Sequence, residues 1–127
     1  MVLNDQFPTG QEDTEQNDAG WLYELDGLIN NHLRDPELNN EYLADHFGLS
    51  ARSFHRRVHR LSGVSPVRYI RNYRLDRAKE MLTRGLFRTV NEAAYAVGYT
   101  NVSYFIRQYI LRFEKSPLDS LREAGWR

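Results

Sequence analysis

The chain has 127 residues, close to the commonest size of a single domain and enough to bury one or two modest hydrophobic cores. It contains no cysteine, which removes disulfides, thiolate zinc sites and cysteine nucleophiles from consideration. No run of about 18 apolar residues occurs, and the N-terminus carries neither a positive flank nor an apolar stretch. The expectation is a cytoplasmic protein without membrane contact.

The formal net charge is zero, yet the charges are sorted along the chain. Residues 1–33 hold seven acids and no Lys or Arg, whereas residues 51–79 hold nine Lys or Arg against the single acid Asp76. Of the 17 cations 15 are Arg, whose planar fork pairs bidentately with phosphate or with guanine edges. Such asymmetry points to a polyanion-binding face, the alternative being a solvated helical surface.

Taken in chain order, residues 1–20 are polar and acidic with almost no apolar period, and read as a disordered tail or interdomain linker. From Trp21, helical spacing of Leu22, Leu25, Leu28, Ile29 and Leu33 predicts a helix over about 19–33, ended by Asp35-Pro36. Asn39 is placed to cap a short helix over about 40–47, Gly48 to make a turn, and Ser50 to cap a helix over about 51–62. In that helix Phe54, Val58 and Leu61 face inward while Arg52, His55, Arg56, His59 and Arg60 cover the outside. Two short helices joined by a tight Gly-containing turn make a helix-turn-helix.

Gly63 stops the second helix, and Ser65-Pro66 opens a long one running to about Arg84. At 1.5 Å per residue it spans about 28 Å, long enough to hold two modules apart. Thr89 then caps a helix over about 90–97, Gly98 turns, Asn101 caps a helix over about 102–113, and Ser116-Pro117 opens a last one to about Ala124. The fold class is therefore all-α: seven helices in two helix-turn-helix units joined by a connecting helix over about 66–84.

The second half repeats the first. Ala44 and Gly48 recur as Ala94 and Gly98; after a one-residue insertion in the second turn, Ser50, Phe54, Arg56, Val58, Ser65 and Pro66 recur as Asn101, Phe105, Arg107, Tyr109, Ser116 and Pro117. The small residues at 44 and 94 let the helices of each unit approach closely. The segments LADHFGLSARSFHRRVHRLSGVSPVRYIRNYRLDRAKEML and VNEAAYAVGYTNVSYFIRQY, with the later Ser-Pro, resemble the AraC/XylS-type DNA-binding domain over residues 21–124.

The resemblance implies that the second helix of each unit enters the major groove of double-stranded DNA. Carried over by position, base contacts fall to Arg52, His55 and Arg56 in the first unit (about 21–63), and to Val102, Ser103, Ile106 and Arg107 in the second (about 89–124). Val102 and Ile106 suit a thymine methyl or are simple packing residues, and the Arg107 position serves either base or backbone. Phosphate contacts are expected from Ser50, Arg57, Arg60, Arg68, Arg71 and Asn101, through side chains or through N–H groups at helix starts.

Departures from the pattern are Glu114, where the first repeat has Gly63, Ile106 in place of a small polar residue, and Ala93 in place of a larger apolar one. They lead to the expectation that the first unit dominates recognition. Arg74 lies near the apolar side of its helix and reads as half of a structural ion pair, with Asp76 or Glu80 as neighbours. His55 and His59 stand four apart, but with no Cys and no nearby acid they make no metal site, and no cofactor is expected.

The reading that unites these features is the output domain of a transcription regulator, expected to be an activator, with RNA polymerase as a partner and a sensory or receiver domain preceding it. Two others stand beside it: a stand-alone small activator of the same family, and a protein-interaction domain that has lost DNA binding. An enzyme is not expected, since no acid/base constellation is present and a DNA-repair methyltransferase would need the missing Cys.

Overall fold

The computed structural model describes residues 10–125, with side chains from Asn17 onward. Among the described residues the order is α1 Gly10–Asn31, α2 Asn40–His46, α3 Ala51–Ser62, α4 Pro66–Thr83, α5 Val90–Ala96, α6 Val102–Phe113 and α7 Pro117–Glu123, with no strand. Each start after α1 is set by its own cap. The side chains of Asn39, Ser50, Ser65, Thr89, Asn101 and Ser116 accept from the backbone N–H of Tyr42, Ser53, Arg68, Glu92, Tyr104 and Asp119 respectively. Glu92 completes a capping box at Thr89.

The turns inside the two units are made by Gly48 and Gly98, both at positive φ (67° and 91°). At Gly98 a side chain is barred twice over, since a Cβ there would overlap Nη1 of Arg74 and lie 2.5 Å from the Leu33 carbonyl. Ala44 and Ala94 are both buried at the crossings of their units, as expected of small residues placed there.

Two cores form. In the first, Trp21, Leu25 and Ile29 of α1 meet Leu43 and Ala44 of α2, Phe54 and Val58 of α3, and Ile70 of α4. In the second, Leu75, Ala78 and Leu82 of α4 meet Ala93, Ala94 and Val97, Phe105 and Tyr109 of α6, and Leu121 of α7. The connecting helix thus gives its first half to one core and its second half to the other, while Tyr73 packs against both.

The first helix differs from expectation. It begins at Gly10 rather than near residue 19, within the stretch read as a disordered tail or interdomain linker, of which residues 1–9 lie outside the described part. The physical reason is tertiary. Asp18, just before the apolar stripe, reaches Arg57 and Arg60 of α3, and a helix already nucleated extends at the cost of one residue per added hydrogen bond.

Candidate nucleic-acid interface

On α3, burial of Phe54 and Val58 turns the opposite side outward, and Arg52, His55, Arg56, His59 and Arg60 are all exposed there. At about 100° per residue, Arg52, Arg56 and Arg60 form one stripe with His59 beside it. The rings of His55 and His59 lie nearly parallel, 14° apart in plane with centroids at 6.4 Å. Among the described residues neither Arg52 nor Arg56 has a carboxylate partner.

Arg57 and Arg60 are held differently. Arg57 is half-buried, its guanidinium 4.6 Å over the ring of Trp21 and its Nη2 3.0 Å from Oδ1 of Asp18. Arg60 donates to the other oxygen of Asp18 at 3.1 Å. Their positions in sequence imply phosphate contacts, and in the structure both hold a carboxylate.

On α6 the corresponding outward stripe is Ser103, Arg107 and Leu111, flanked by Tyr104 and Ile110. Arg107 is exposed and stacks on Tyr104, with its guanidinium 5.8 Å from the ring centroid. Val102 and Ile106 are half-buried and pack against the second core, so only part of each side chain faces outward. Leu111, 75% exposed, and Tyr104 belong to this face as well, beyond the residues that the resemblance implies. The helical period running on from Ser103 and Arg107 carries the signal for both.

Between the units lies a cleft of 380 Å³, lined among others by Leu38, Ile70, Arg71, Tyr99, Asn101 and Tyr104. Arg71 is half-buried at this cleft, whereas Arg68 is exposed in the first turn of α4. The helices α3, α4 and α6 have no acid in their first turns, while α2, α5 and α7 begin with Glu41, Glu92 and Asp119. An acid-free first turn leaves the positive end of the helix dipole open to an outside anion.

Arg74 corrects an expectation. It forms no ion pair with Asp76 or Glu80; it is buried and donates to three backbone carbonyls, from Nη1 to Leu33 at 2.6 Å and Val97 at 2.5 Å, and from Nη2 to Asp35 at 2.8 Å. Burial pushes its pKa down from the ordinary arginine value. Asp76 instead receives Arg112 through Nε at 2.7 Å and Nη2 at 3.0 Å, and Glu80 receives Arg77 and Arg84. The fork of Arg74 therefore joins the α1–α2 corner to the turn before α6, fixing one unit on the other.

Among the described residues there is no group of three or more His, Asp or Glu that could hold a metal ion, and no helix is long and apolar enough to cross a membrane.

A family model described as a helix-turn-helix domain matches residues 43–123. The chain is 34% identical over 109 residues to the HTH-type transcriptional activator RhaS of Escherichia coli O1:K1, covering 86% of this chain and 38% of RhaS, so it spans under two fifths of that relative's length. A transcriptional regulator from Chromobacterium violaceum, described as an AraC-type DNA-binding domain-containing protein, superposes with a TM-score of 0.76 at 21% identity, covering 87% of this chain and 96% of the other. The DNA-binding domain of AdpA, solved in complex with a target DNA, superposes with a TM-score of 0.71 at 24% identity over 80% of this chain and 89% of its own. With two capped helix-turn-helix units in series on one connecting helix, and a family match that runs from α2 through α7, the chain belongs to the AraC-type family of helix-turn-helix domains.

Proposed function

We propose that this domain binds duplex DNA at specific sequences and is the output end of a cytoplasmic transcription activator, with RNA polymerase as its partner and a regulatory domain in the same protein. The observation that carries the reading is the outer face of α3, where Arg52 and Arg56 stand exposed one turn apart with no carboxylate partner among the described residues. In the major groove each guanidinium can pair with O6 and N7 of a guanine, a contact worth about 1–3 kcal/mol of discrimination. His55 lies beside them for a second base.

The repeat supplies a second reader. Arg107 and Ser103 on α6 meet the next major groove, with the exposed parts of Val102 and Ile106 available to thymine methyls. Two such helices serve one site when they lie about 34–36 Å apart along the duplex. Arg68, Arg71 and the N–H groups behind Ser50 and Asn101 take phosphates, which set register without specifying sequence. Because the two helices carry different residues, the site need not be palindromic.

The test is a titration on duplex DNA from upstream of the gene, at two salt concentrations, with the wild-type chain and with Arg52→Ala/Arg56→Ala. Sequence-dependent, salt-sensitive binding that the double substitution reduces to the level of random DNA supports the reading. Equal affinity for specific and random duplex in the wild type refutes it. Affinity that does not fall with salt would favour a protein partner instead.

A further inference from the structure

α1 meets α3 through Asp18, and this one carboxylate makes the contact. Asp18 is only 15% exposed at its side chain; its Oδ1 accepts from Nη2 of Arg57 at 3.0 Å, and its Oδ2 from Nη1 of Arg60 at 3.1 Å. A longer bond runs from Nη2 of Arg60 to Oδ1 at 3.4 Å. Both oxygens are thus bonded, and Trp21 closes the far side of Arg57. The hydrogen bond from Arg60 holds the Asp18 carboxyl below the usual carboxylate range, so it is ionised at neutral pH.

A cleft of 710 Å³ opens where this contact meets the outer face of α3, lined by Asp18 together with Ser53, Arg56, His59 and Arg60 among others. Any phosphate brought to Arg60 along that face meets the negative charge of Asp18. Resting on the DNA-binding reading above, we propose that Asp18 is an internal stand-in for a DNA phosphate: it occupies Arg57 and Arg60, holds down the affinity of α3 for DNA, and couples the segment that precedes the first unit to that affinity. A movement that withdraws the part of α1 carrying Asp18 hands both arginines to the duplex. The device is electrostatic and reversible, since a phosphodiester and a carboxylate each bring one negative charge and two oxygens to the same forks.

Asp18→Asn removes the charge while keeping the size and one acceptor oxygen, and Asp18→Glu keeps the charge. Titrations of the 127-residue chain and both variants on one specific duplex, from 50 to 200 mM salt, separate the outcomes. Each additional phosphate engaged steepens the dependence of log K on log salt by about 0.9. Each arginine released therefore makes Asp18→Asn bind more tightly than wild type, with an advantage that grows about 3.5-fold per arginine, or about 12-fold for both, as salt falls from 200 to 50 mM. Asp18→Glu should keep the wild-type slope. The proposal is overturned if Asp18→Asn keeps the wild-type slope and affinity, or if it binds more weakly while its circular dichroism and melting temperature are unchanged, which would make Asp18 a residue that positions the arginines for DNA. Failure of the wild-type chain to bind duplex at all would overturn the DNA-binding reading itself, a result distinct from either.

Discussion

Replacing Arg74 with Met tests whether the two units are joined by a guanidinium or by packing alone. The substitution keeps most of the volume and removes the fork. It leaves the carbonyls of Leu33 and Val97 without the donor they share in a buried place, each at a loss of about 1–3 kcal/mol, while the Asp35 carbonyl, at the edge, regains water. Against that loss stands relief from burying a guanidinium, on the order of 1–2 kcal/mol after relaxation. The net expectation is a destabilisation of about 3 kcal/mol, or roughly 10 °C in melting temperature for a domain of this size. Arg74→Lys should recover only part, because an ammonium on a shorter stem cannot span acceptors in both units. Differential scanning calorimetry reads the midpoint and the cooperativity, and the transition should broaden as the halves uncouple. A melting temperature within 2 °C of wild type with an unchanged single transition would refute the reasoning and leave the join to Leu75, Tyr73 and their neighbours.

Two further outcomes are expected. Glu114 ends α6 at φ 54° and ψ 34°, the left-handed conformation that Gly63 adopts without strain at the matching end of α3; Glu114→Gly should stabilise by about 0.5–1 kcal/mol, read as a higher urea midpoint at unchanged slope. Burial pushes the hydroxyls of Tyr69 and Tyr109 above the ordinary tyrosine value of 10 and that of Tyr99 up to about 12. A raised folded-state pKa gives stability that is present below pH 10 and lost as pH rises through the folded value, so the urea midpoint should fall between pH 10 and 12 and the fall should be shallower in Tyr99→Phe. An equal fall in both proteins would place the alkaline loss elsewhere.

The parts of this molecule that were legible in its sequence are those decided within one turn of helix. Asn39, Ser50, Ser65, Thr89, Asn101 and Ser116 cap as read because a cap needs only its own side chain and an N–H three residues on. The outward stripe of α3 follows from the period of Phe54 and Val58. What escaped the reading is long-range. Nothing near Arg74 in sequence marks three carbonyls at Leu33, Asp35 and Val97 as its acceptors, since every residue has a carbonyl and local order does not say which are left over. The partners of Arg57 and Arg60 lie 39 and 42 residues upstream, in a stretch whose own composition argues for disorder. Val102 and Ile106 are half-buried because the second core reaches to the first turns of α6, which the residue types alone do not settle.

The two units divide the work of meeting a polyanion unequally, and the division is visible in where the charge stands. The outer stripe of α3 is Arg52, Arg56 and Arg60, whereas the same stripe on α6 is Ser103, Arg107 and Leu111, with Ile110 43% exposed beside it. Long-range attraction scales with charge, so on the proposed DNA-binding reading the first unit is expected to draw the duplex in and to carry most of the salt dependence. The outward stripe of α6 brings a single guanidinium and an apolar edge, whose contribution depends on close fit and therefore on the angle at which the Arg74 fork holds it. Asp18 acts on the strongly charged unit, where a single carboxylate changes most. A regulator built this way can be adjusted through the electrostatics of one half while the other half keeps its register. On these grounds Arg107→Ala should cost discrimination at one half of the site yet leave the salt slope closer to wild type than Arg52→Ala/Arg56→Ala does, and equal loss of slope in the two variants would show that the units share the charge work after all.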